Sequence, residues 1–250
     1  MSALASDYPC QCQTGQCLLC EARLYGGLTA EQACNIRGLL TKHEYKPHET
    51  LFREGGPSTH LFVLREGLLK LTSLGVSGRE QIIGLAAPGR LLGFQSIHNK
   101  TYCFSAEALT PVTVCKIRHH DMLQVLEQNP TVSLQVIDML NHELGEAQAL
   151  IRVLGQKTAE ERVAWFLLSL ATTGSSPLET LPVRLTRREI AELLGLTIET
   201  VSRLFSEFRR NGLIDTPRGS VRILSLPRLQ ARANFPGCSA AAFPQRLPAV

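Results

Sequence analysis

Residues 185–205 have the sequence LTRREIAELLGLTIETVSRLF, which predicts two short helices joined by a tight turn. Thr186 is placed to cap the first helix, and Glu189, three residues later, completes a capping box. Gly195 permits the turn, and Thr197 begins the second helix. This is the spacing of a helix-turn-helix. We expect five apolar residues to form the core that the two helices share: Ile190, Leu194, Leu196, Val201 and Leu204.

The outer face of the second helix is polar near its N-terminal end. Glu199, Ser202 and Arg203 would lie there, where a recognition helix meets base edges in the major groove of double-stranded DNA. A guanidinium can bind guanine through two hydrogen bonds, a carboxylate can accept from cytosine, and a hydroxyl can do either. Two turns later, basic residues are better placed for phosphates. The predicted DNA-binding residues are Thr197, Glu199, Thr200, Ser202, Arg203, Arg209 and Arg210.

A hairpin is predicted after the second helix. Short apolar runs at 213–214 and 221–223 flank the turn sequence PRGS at 217–220, as in the wing of a winged helix. The alternative is an ordinary helical hairpin with a charged face. The joint occurrence of capping box, turn glycine, polar outer face and wing favours the helix-turn-helix.

The positive charge of the chain is concentrated in its C-terminal part. The whole chain carries a formal +4, whereas residues 181–250 contain eleven arginines and five acids, a net +6, and residues 1–180 a net −2. A basic block behind a near-neutral body is expected when one domain contacts phosphates and another has a different task. A solvated basic face would give the same distribution.

The N-terminal half shows the spacing of β-hairpins. After a short helical pattern at 28–40, glycines at 55, 67, 78 and 89 are 12, 11 and 11 residues apart and separate apolar runs such as 61–64 and 81–85. This pattern predicts an antiparallel sandwich or jelly roll that extends to about residue 117.

A helical period replaces the strand period from about 118 to 172. Apolar or small residues then recur at intervals of 3, 4, 3, 4 and 3, which is a heptad pattern. So narrow a stripe normally faces another helix, and a second copy of the chain is the simplest source of that helix. Packing of the stripe on the chain's own sandwich is the alternative. The six residues of this predicted dimer seam are Ile137, Leu140, Leu144, Ala147, Ile151 and Leu154.

The sequence thus predicts an α+β chain in five parts. Residues 1–27 form a cysteine-rich segment, 28–130 a β-sandwich sensor domain, 131–156 a dimerisation helix, and 157–225 a winged helix-turn-helix domain. Prolines at 227, 236, 244 and 248, without a clear helical or strand period, predict a mobile tail over 226–250.

The cysteines point to metal binding or redox chemistry. No run approaches the ~18 uncharged apolar residues of a membrane span, and the N-terminus has no secretory pattern, so we expect a cytoplasmic protein with no membrane partner. Eight cysteines in such a chain argue against disulfides. Cys10, Cys12, Cys17 and Cys20 lie within eleven residues, whereas Cys34 and Cys103 are expected to be small core residues.

The chain resembles the CRP/FNR family of bacterial transcription regulators over about residues 28–225. The resemblance is strongest over 185–213, and it includes KTAEER at 157–162, TLF at 50–52 and REG at 65–67. It implies a jelly-roll sensor domain of the cyclic-nucleotide-binding type, a long dimerisation helix and a C-terminal winged helix-turn-helix. It also implies a homodimer that binds DNA. Glu199, Ser202 and Arg203 are similar to the triplet of the FNR branch, which implies a two-fold site with half-sites like TTGAT.

The sandwich departs from the cyclic-nucleotide branch of this family. That branch needs a Gly-Glu pair for the ribose and an Arg-Ser pair for the phosphate, but here Phe94 follows Gly93, and Tyr102-Cys103 stands where Arg-Ser is expected. A buried phosphate without an arginine would leave a charge unpaired. We therefore expect no cyclic nucleotide as ligand.

The FNR branch instead implies a 4Fe-4S cluster that oxygen destroys. Soft thiolate ligands suit such clusters. The resemblance implies three N-terminal cysteines together with Cys115, and the expected ligands are Cys12, Cys17, Cys20 and Cys115, with Cys10 as the alternate. The spacing C-x-C-x4-C-x2-C differs from the branch's common C-x2-C-x5-C, so the choice of N-terminal ligands is open. The implied regulator is dimeric and active under low oxygen.

Other interpretations concern the same residues. The cysteines at 10, 12, 17 and 20 could hold zinc in a cluster-free regulator, or Cys17 and Cys20 could form the redox pair of a thiol enzyme. We expect an activator and no enzyme, because the redox pair lacks a thioredoxin-like context. His119-His120 could suggest haem, but such a neighbouring pair is more often solvent-facing. By resemblance only, the loop at 74–79 is expected to contact RNA polymerase.

Overall fold

The computed structural model describes most of the chain after the N-terminal segment. The described residues are 35–75, 78, 80–171, 180–182, 185–217 and 220–234. The cysteine-rich segment at 1–27 therefore lies outside the described residues, as do Cys34 and Cys238.

Two antiparallel four-stranded sheets form the N-terminal sandwich, in the orders β1-β8-β3-β6 and β2-β7-β4-β5. The predicted antiparallel jelly-roll fold is confirmed. The strands are β1 (Thr41–Tyr45), β2 (Thr50–Phe52), β3 (His60–Glu66), β4 (Leu69–Leu74), β5 (Glu80–Ala86), β6 (Leu91–Leu92), β7 (Ser105–Ala108) and β8 (Val112–Arg118).

Glycines make the turns that their spacing predicts. The glycines at 55, 67, 78 and 89 all have positive φ, between 75° and 93°, which is the region that glycine enters without steric cost. Gly67 is the most constrained, because a Cβ there would lie 2.3 Å from the carbonyl oxygen of Pro111. The turn between β3 and β4 therefore needs glycine for space as well as for its φ.

Helices cover the outer face of the first sheet. A short 3-10 helix, Phe94–Ser96, follows β6, and β8 leads directly into α1 (His119–Gln128) and α2 (Pro130–Gln156). Pro130 lies in the first turn of α2, where its missing N–H and fixed φ suit a helix start. Residues of α1 and of the first half of α2 pack with Leu61, Val63 and Cys115 in one buried cluster. The sandwich thus supports the start of the long helix.

In the C-terminal part, the described residues form four helices around a small sheet. The helices are α3 (Ala159–Ala171), α4 (Arg187–Leu194), α5 (Ile198–Arg210) and α6 (Leu226–Arg232). The strands β9 (Thr180–Pro182), β10 (Ile214–Asp215) and β11 (Ser220–Ile223) pair in the order β10-β11-β9. β10 and β11 are the two strands of the predicted wing.

The prediction of a mobile tail from residue 226 was wrong for its first nine residues. Residues 226–232 form α6, in which Leu229 is fully buried, and Ala233 behind it is buried too. Lys157 Nζ donates to the carbonyl oxygen of Ala233 at 2.7 Å. Pro227 lies in the first turn of the helix, a position that proline tolerates, so it does not act as a breaker. Residues 235–250 lie outside the description.

Cys103 was also predicted wrongly, because its side chain is exposed. It lies in a bend before β7, between the buried residues Tyr102 and Phe104, and its side chain faces outward there. None of the helices described is both long and apolar enough to cross a membrane.

Candidate functional site

The first helix of the helix-turn-helix begins with the predicted capping box. The N–H of Glu189 donates to Thr186 Oγ1 at 3.2 Å, and the N–H of Thr186 donates to Glu189 Oε2 at 2.8 Å. At the other end Gly195 has φ 62°, and the N–H of Leu196 donates to the carbonyl oxygen of Ala191. Both ends of α4 are thus closed by local bonds, which explains why the sequence predicts this helix well.

The second helix, α5, is held by its own cap and by the shared core. The N–H of Thr200 donates to Thr197 Oγ1 at 3.2 Å. Of the five residues predicted for the core, Leu196 is half-buried and the other four are buried. Phe205 and Phe208 are buried as well. The inner face of α5 is therefore fixed, and its outer face can act without deforming the core.

Glu199, Ser202 and Arg203 are all exposed on the outer face of α5. A hydrogen bond from its own backbone N–H, followed by one from the Thr197 hydroxyl, lowers the pKa of Glu199, so the carboxylate is charged at neutral pH. Arg209 and Arg210 are exposed in the last turn. A negative group at the start of the helix, a hydroxyl and guanidinium groups thus point away from the core.

Ile198 is a residue of this face that the sequence analysis missed. It is the first residue of α5 and is 43% exposed, beside Glu199. Apolar groups on a recognition helix can contact the methyl group of thymine. Helical periodicity assigns apolar residues to the core, so only the position of Ile198 directly after the capping Thr197 could have indicated its exposure.

A cation-π contact joins the two helices. The guanidinium carbon of Arg187 lies 3.4 Å from the ring centroid of Phe205. Burial lowers the pKa of this arginine from its usual value, but an arginine remains charged at physiological pH. The contact fixes the start of α4 against the middle of α5.

Arg162 connects the helix-turn-helix to the end of the long helix. Its guanidinium donates to three carbonyl oxygens: that of Lys157 at 2.9 Å, that of Leu194 at 3.0 Å and that of Leu154 at 2.5 Å. Leu154 is in the last turn of α2, and Leu194 is the last residue of α4. Carbonyl groups at helix C-termini lack partners within the helix, so a cation there satisfies them.

The predicted dimer seam is largely exposed in the single chain. Ile137 is 52% exposed, Leu144 56% and Ile151 67%, while Leu140 and Leu154 are half-buried. Leu134, which is 67% exposed and lies three residues before Ile137, extends the same stripe toward the N-terminus of α2. These contiguous apolar groups need a partner, as expected for an interface.

Cys115 is buried on β8, on the face of the sheet that packs against the helices. Its neighbours in the same cluster include Val132 and Val136 of α2, and Ile36 and Leu40 pack against that cluster. The four N-terminal cysteines lie outside the described residues. Within the residues that are described, no group of three or more metal-binding side chains comes together.

Aromatic side chains pack around Tyr102, the residue that stands where the cyclic-nucleotide branch is expected to have arginine. Tyr102 stacks on Phe52 with ring centroids 4.2 Å apart, and its hydroxyl donates to the carbonyl oxygen of His60 at 2.8 Å. Phe62 and Phe104 complete the aromatic group. Tyr102 is part of the packed core and offers no positive charge.

Two smaller predicted sites are described only in part. His120 is exposed as expected, but His119 is half-buried, and burial lowers its pKa. In the loop at 74–79, Leu74 is 63% exposed and Gly78 has φ 75°. Its residues 76, 77 and 79 lie outside the description.

The comparisons with known proteins agree with this architecture. A family model for the cyclic nucleotide-binding domain matches residues 42–129, and one for the Crp-like helix-turn-helix domain matches residues 161–232. The second match includes α6, which supports its inclusion in the folded domain.

Relatives match over most of the chain. The transcriptional activator protein Anr of Pseudomonas aeruginosa is 34% identical over 228 residues, which cover 89% of this chain and 93% of that protein. The nitrogen fixation regulation protein FixK of Bradyrhizobium diazoefficiens is 34% identical and covers 87% and 92%. The structure of FixK2 from Bradyrhizobium japonicum has a TM-score of 0.71 at 26% identity, covering 78% and 98%. With a jelly-roll sandwich, a long helix and a capped helix-turn-helix in one chain, the protein belongs to the CRP/FNR family of DNA-binding transcription regulators.

Proposed function

We propose that this protein is a dimeric activator of the FNR type, which binds two-fold DNA sites with TTGAT-like half-sites under low oxygen while it carries a 4Fe-4S cluster. The exposure of Glu199, Ser202 and Arg203 on one face of the recognition helix α5 carries the proposal. The similarity to the transcriptional activator Anr supports the activator role.

The three side chains suit direct readout in the major groove. Arg203 can bind O6 and N7 of the guanine in TTGAT, and Glu199 can accept from the exocyclic amine of cytosine on the opposite strand. Ser202 lies one residue before Arg203 and can donate or accept. Arg209 and Arg210 are placed for phosphates, which give affinity without sequence information. The charge of Glu199 is maintained because hydrogen bonds lower its pKa.

The seam on α2 supports dimerisation. The exposed side chains of Ile137, Leu144 and Ile151 repeat on one face of a 27-residue helix. A second copy related by two-fold symmetry would bury the same residues on both chains. The two recognition helices would then address two half-sites about one DNA turn apart.

The described residues around Cys115 are compatible with a cluster site there. The expected ligands are Cys12, Cys17, Cys20 and Cys115, with Cys10 as the alternate. A thiol buried on β8 is a soft donor in apolar surroundings, and Ile36 and Leu40, which follow the N-terminal cysteines in the chain, pack against its cluster of side chains. An iron-sulfur cluster held there would supply the sensitivity to oxygen.

Cys115 lies next to the long helix α2. This residue shares a buried cluster with Val132, Val136 and Met139 of α2. Val132 and Val136 precede the seam, and Met139 lies within it. Packing around Cys115 can therefore affect the part of α2 where the proposed dimer contacts begin. This shared packing supports a coupling of the proposed sensing site to the dimer helix through contiguous side chains.

The packing around Tyr102 supports the FNR type over the cyclic-nucleotide type. The stacked rings of Phe52 and Tyr102 fill the sandwich, and the Tyr102 hydroxyl is bonded to the backbone, so no cyclic nucleotide is expected. By the family resemblance, we also propose the exposed Leu74, at the start of the 74–79 loop, as a contact for RNA polymerase.

Titration of the anaerobically purified chain with DNA tests the proposal. We expect tight binding to a duplex with two TTGAT-like half-sites, weaker binding when the guanines are replaced, and loss of the difference after exposure to air. Iron, sulfide and zinc analysis of the same sample identifies the metal. Zinc without sulfide would contradict the cluster, and equal affinity for both duplexes would contradict the proposed readout.

A further inference from the structure

The second sheet of the sandwich packs directly against the first helix of the helix-turn-helix. Leu68, which precedes β4, and Ile82 of β5 are buried in the same cluster as Ile190 and Leu194 of α4. The sensor domain and the DNA-binding domain therefore share one apolar core. Apolar contact alone is non-directional, so it holds the helix on the sheet without fixing its orientation.

An ion pair crosses the same contact. Lys70 Nζ on β4 lies 3.5 Å from Glu189 Oε1 in the first turn of α4, and 3.1 Å from Glu107 Oε1 on β7. The side chains of Lys70 and Glu189 are only 12% and 14% exposed. Lys70 and Glu107 are directly opposite in the pairing of β4 with β7, which holds the lysine in place. So sheltered a pair is screened less by salt than a surface pair.

The two oxygens of Glu189 have different tasks. Oε2 accepts from the N–H and hydroxyl of Thr186 and so completes the capping box, whereas Oε1 faces Lys70. The same carboxylate thus starts the helix and ties it to the sensor domain. Burial would pull the pKa of Lys70 down, but the hydrogen bond with Glu107 and the charges of Glu107, Glu189 and Glu80 raise it, so the lysine stays charged.

We propose that Lys70, through Glu189, is a positioning residue that fixes the orientation of the helix-turn-helix on the sensor domain, and thereby the separation of the two recognition helices in the dimer. Glu199, Ser202 and Arg203 stay exposed in the docked arrangement, so the contact is compatible with DNA binding. Without the lysine, Glu107 and Glu189 would face each other across the contact as two carboxylates. The inference rests on the proposed two-fold DNA site.

A comparison of three duplexes separates positioning from local folding. The first carries two half-sites at the preferred spacing, the second has one base pair inserted between them, and the third has one half-site. One inserted base pair rotates the second half-site by about 35°. A dimer with rigidly oriented domains discriminates against this duplex, whereas the single half-site depends only on the local helix-turn-helix.

Glu189→Gln and Lys70→Gln are the test variants. Glutamine at 189 can still accept in the capping box, so this variant removes the ion pair and keeps the cap. Discrimination is the ratio of the affinities for the first and the second duplex. We expect this ratio to fall roughly fivefold or more in both variants, with unchanged affinity for the single half-site. Lys70→Arg should retain the discrimination, and the double variant should lose no more than either single one. Lys42→Gln, in the exposed pair Lys42–Glu44, is the matched control.

The outcomes separate a failure of the positioning role from a failure of the proposed function. Sedimentation and thermal unfolding of each variant verify the folded dimer, and Glu189→Gln provides the result if Lys70→Gln does not fold. If the variants keep the full discrimination of the wild-type chain, or lose affinity for the single half-site to the same extent, the positioning role is wrong. If the wild-type chain itself shows no preference for paired half-sites, the proposed function fails and the inference fails with it.

Discussion

The guanidinium of Arg162 donates to the carbonyl oxygen of Leu194 at 3.0 Å and to that of Leu154 at 2.5 Å, so one side chain joins the C-terminal ends of α2 and α4. We predict that Arg162→Met lowers the free energy of unfolding by about 2–4 kcal/mol, because hydrogen bonds from a charged donor contribute about 1.5–3 kcal/mol each and are not additive. Denaturant unfolding followed by circular dichroism measures this.

Arg228→Met is the control for that variant, since Arg228 is exposed on α6. A change within about 0.5 kcal/mol is expected there. Arg162→Lys keeps the charge but cannot reach three carbonyl oxygens in the same way, so it should lie between the wild type and Arg162→Met. Equal stability of Arg162→Met and Arg228→Met would show that the three bonds contribute little.

Arg203 is expected to determine specificity at one base pair. Arg203→Ala should weaken binding to the TTGAT-like site by about 1–3 kcal/mol, which is about 5- to 150-fold, and should relax the preference for guanine at that position. Arg210→Ala should instead weaken binding to all sequences alike, because phosphate contacts carry no sequence information. Titrations at one fixed salt concentration are needed. Unchanged selectivity in Arg203→Ala would remove the basis of the proposed readout.

A carboxylate in the middle of the seam should prevent dimerisation. Leu144 is 56% exposed in the single chain, so Leu144→Asp leaves the fold of the chain intact. In a dimer the new charge would be buried without a partner, which costs several kcal/mol, so we expect the dimer dissociation constant to rise by about 100-fold or more. Analytical ultracentrifugation measures it. Leu74→Asp, at a leucine that is 63% exposed at the end of β4, should leave the dimer unchanged.

The two described cysteines provide a matched test of the proposed cluster. Cys115 is buried beside the helices, whereas Cys103 is exposed. We expect Cys115→Ser to lose most of the iron and sulfide of the anaerobically purified chain, because a hydroxyl is a poor ligand for iron-sulfur clusters. Cys103→Ser should keep both. Equal iron content in the two variants would exclude Cys115 as a ligand.

The sequence predicts those elements that local signals define. The capping box of Thr186 and Glu189 and the positive φ of Gly195 involve residues close in the chain, so their spacing was sufficient. The strands of the sandwich followed from glycines at the turns and apolar runs between them. Exposure of the seam was indicated by its heptad spacing, although the partner that covers it stays a prediction.

Contacts between distant residues could not be predicted in this way. The pair Lys70–Glu189 and the bonds of Arg162 depend on how the domains pack, and neither leaves a periodic pattern. Cysteine is usually buried, which favours the core for Cys103, but this residue lies in a bend before β7 and is exposed there. Pro227 misleads the prediction of a mobile tail, because proline both breaks helices and occurs in their first turn.

Glu143 should make the stability of the chain depend on pH. Its side chain is 12% exposed on α2, with Arg90 Nε at 3.6 Å from Oε1. Burial raises its pKa to about 7, the charge of Arg90 and a hydrogen bond from the backbone N–H of Leu91 oppose this, and Glu146 adds to it. In the unfolded chain the pKa is near 4.5. The folded state therefore binds more protons between these two values.

The stabilisation that this shift in the pKa of Glu143 gives the folded chain is fully present below pH 4.5 and is lost as the pH rises through about 7. Over that window the unfolding free energy should fall by up to about 3 kcal/mol relative to Glu143→Gln, which has no ionisable group there. Denaturant titrations of both proteins at pH 5, 6, 7 and 8 give the difference at each pH, so that other titrating groups cancel. Glu127→Gln, at an exposed residue of α1, should follow the wild type throughout. A difference between wild type and Glu143→Gln that does not change with pH would show that Glu143 is ionised in the folded chain across the whole range.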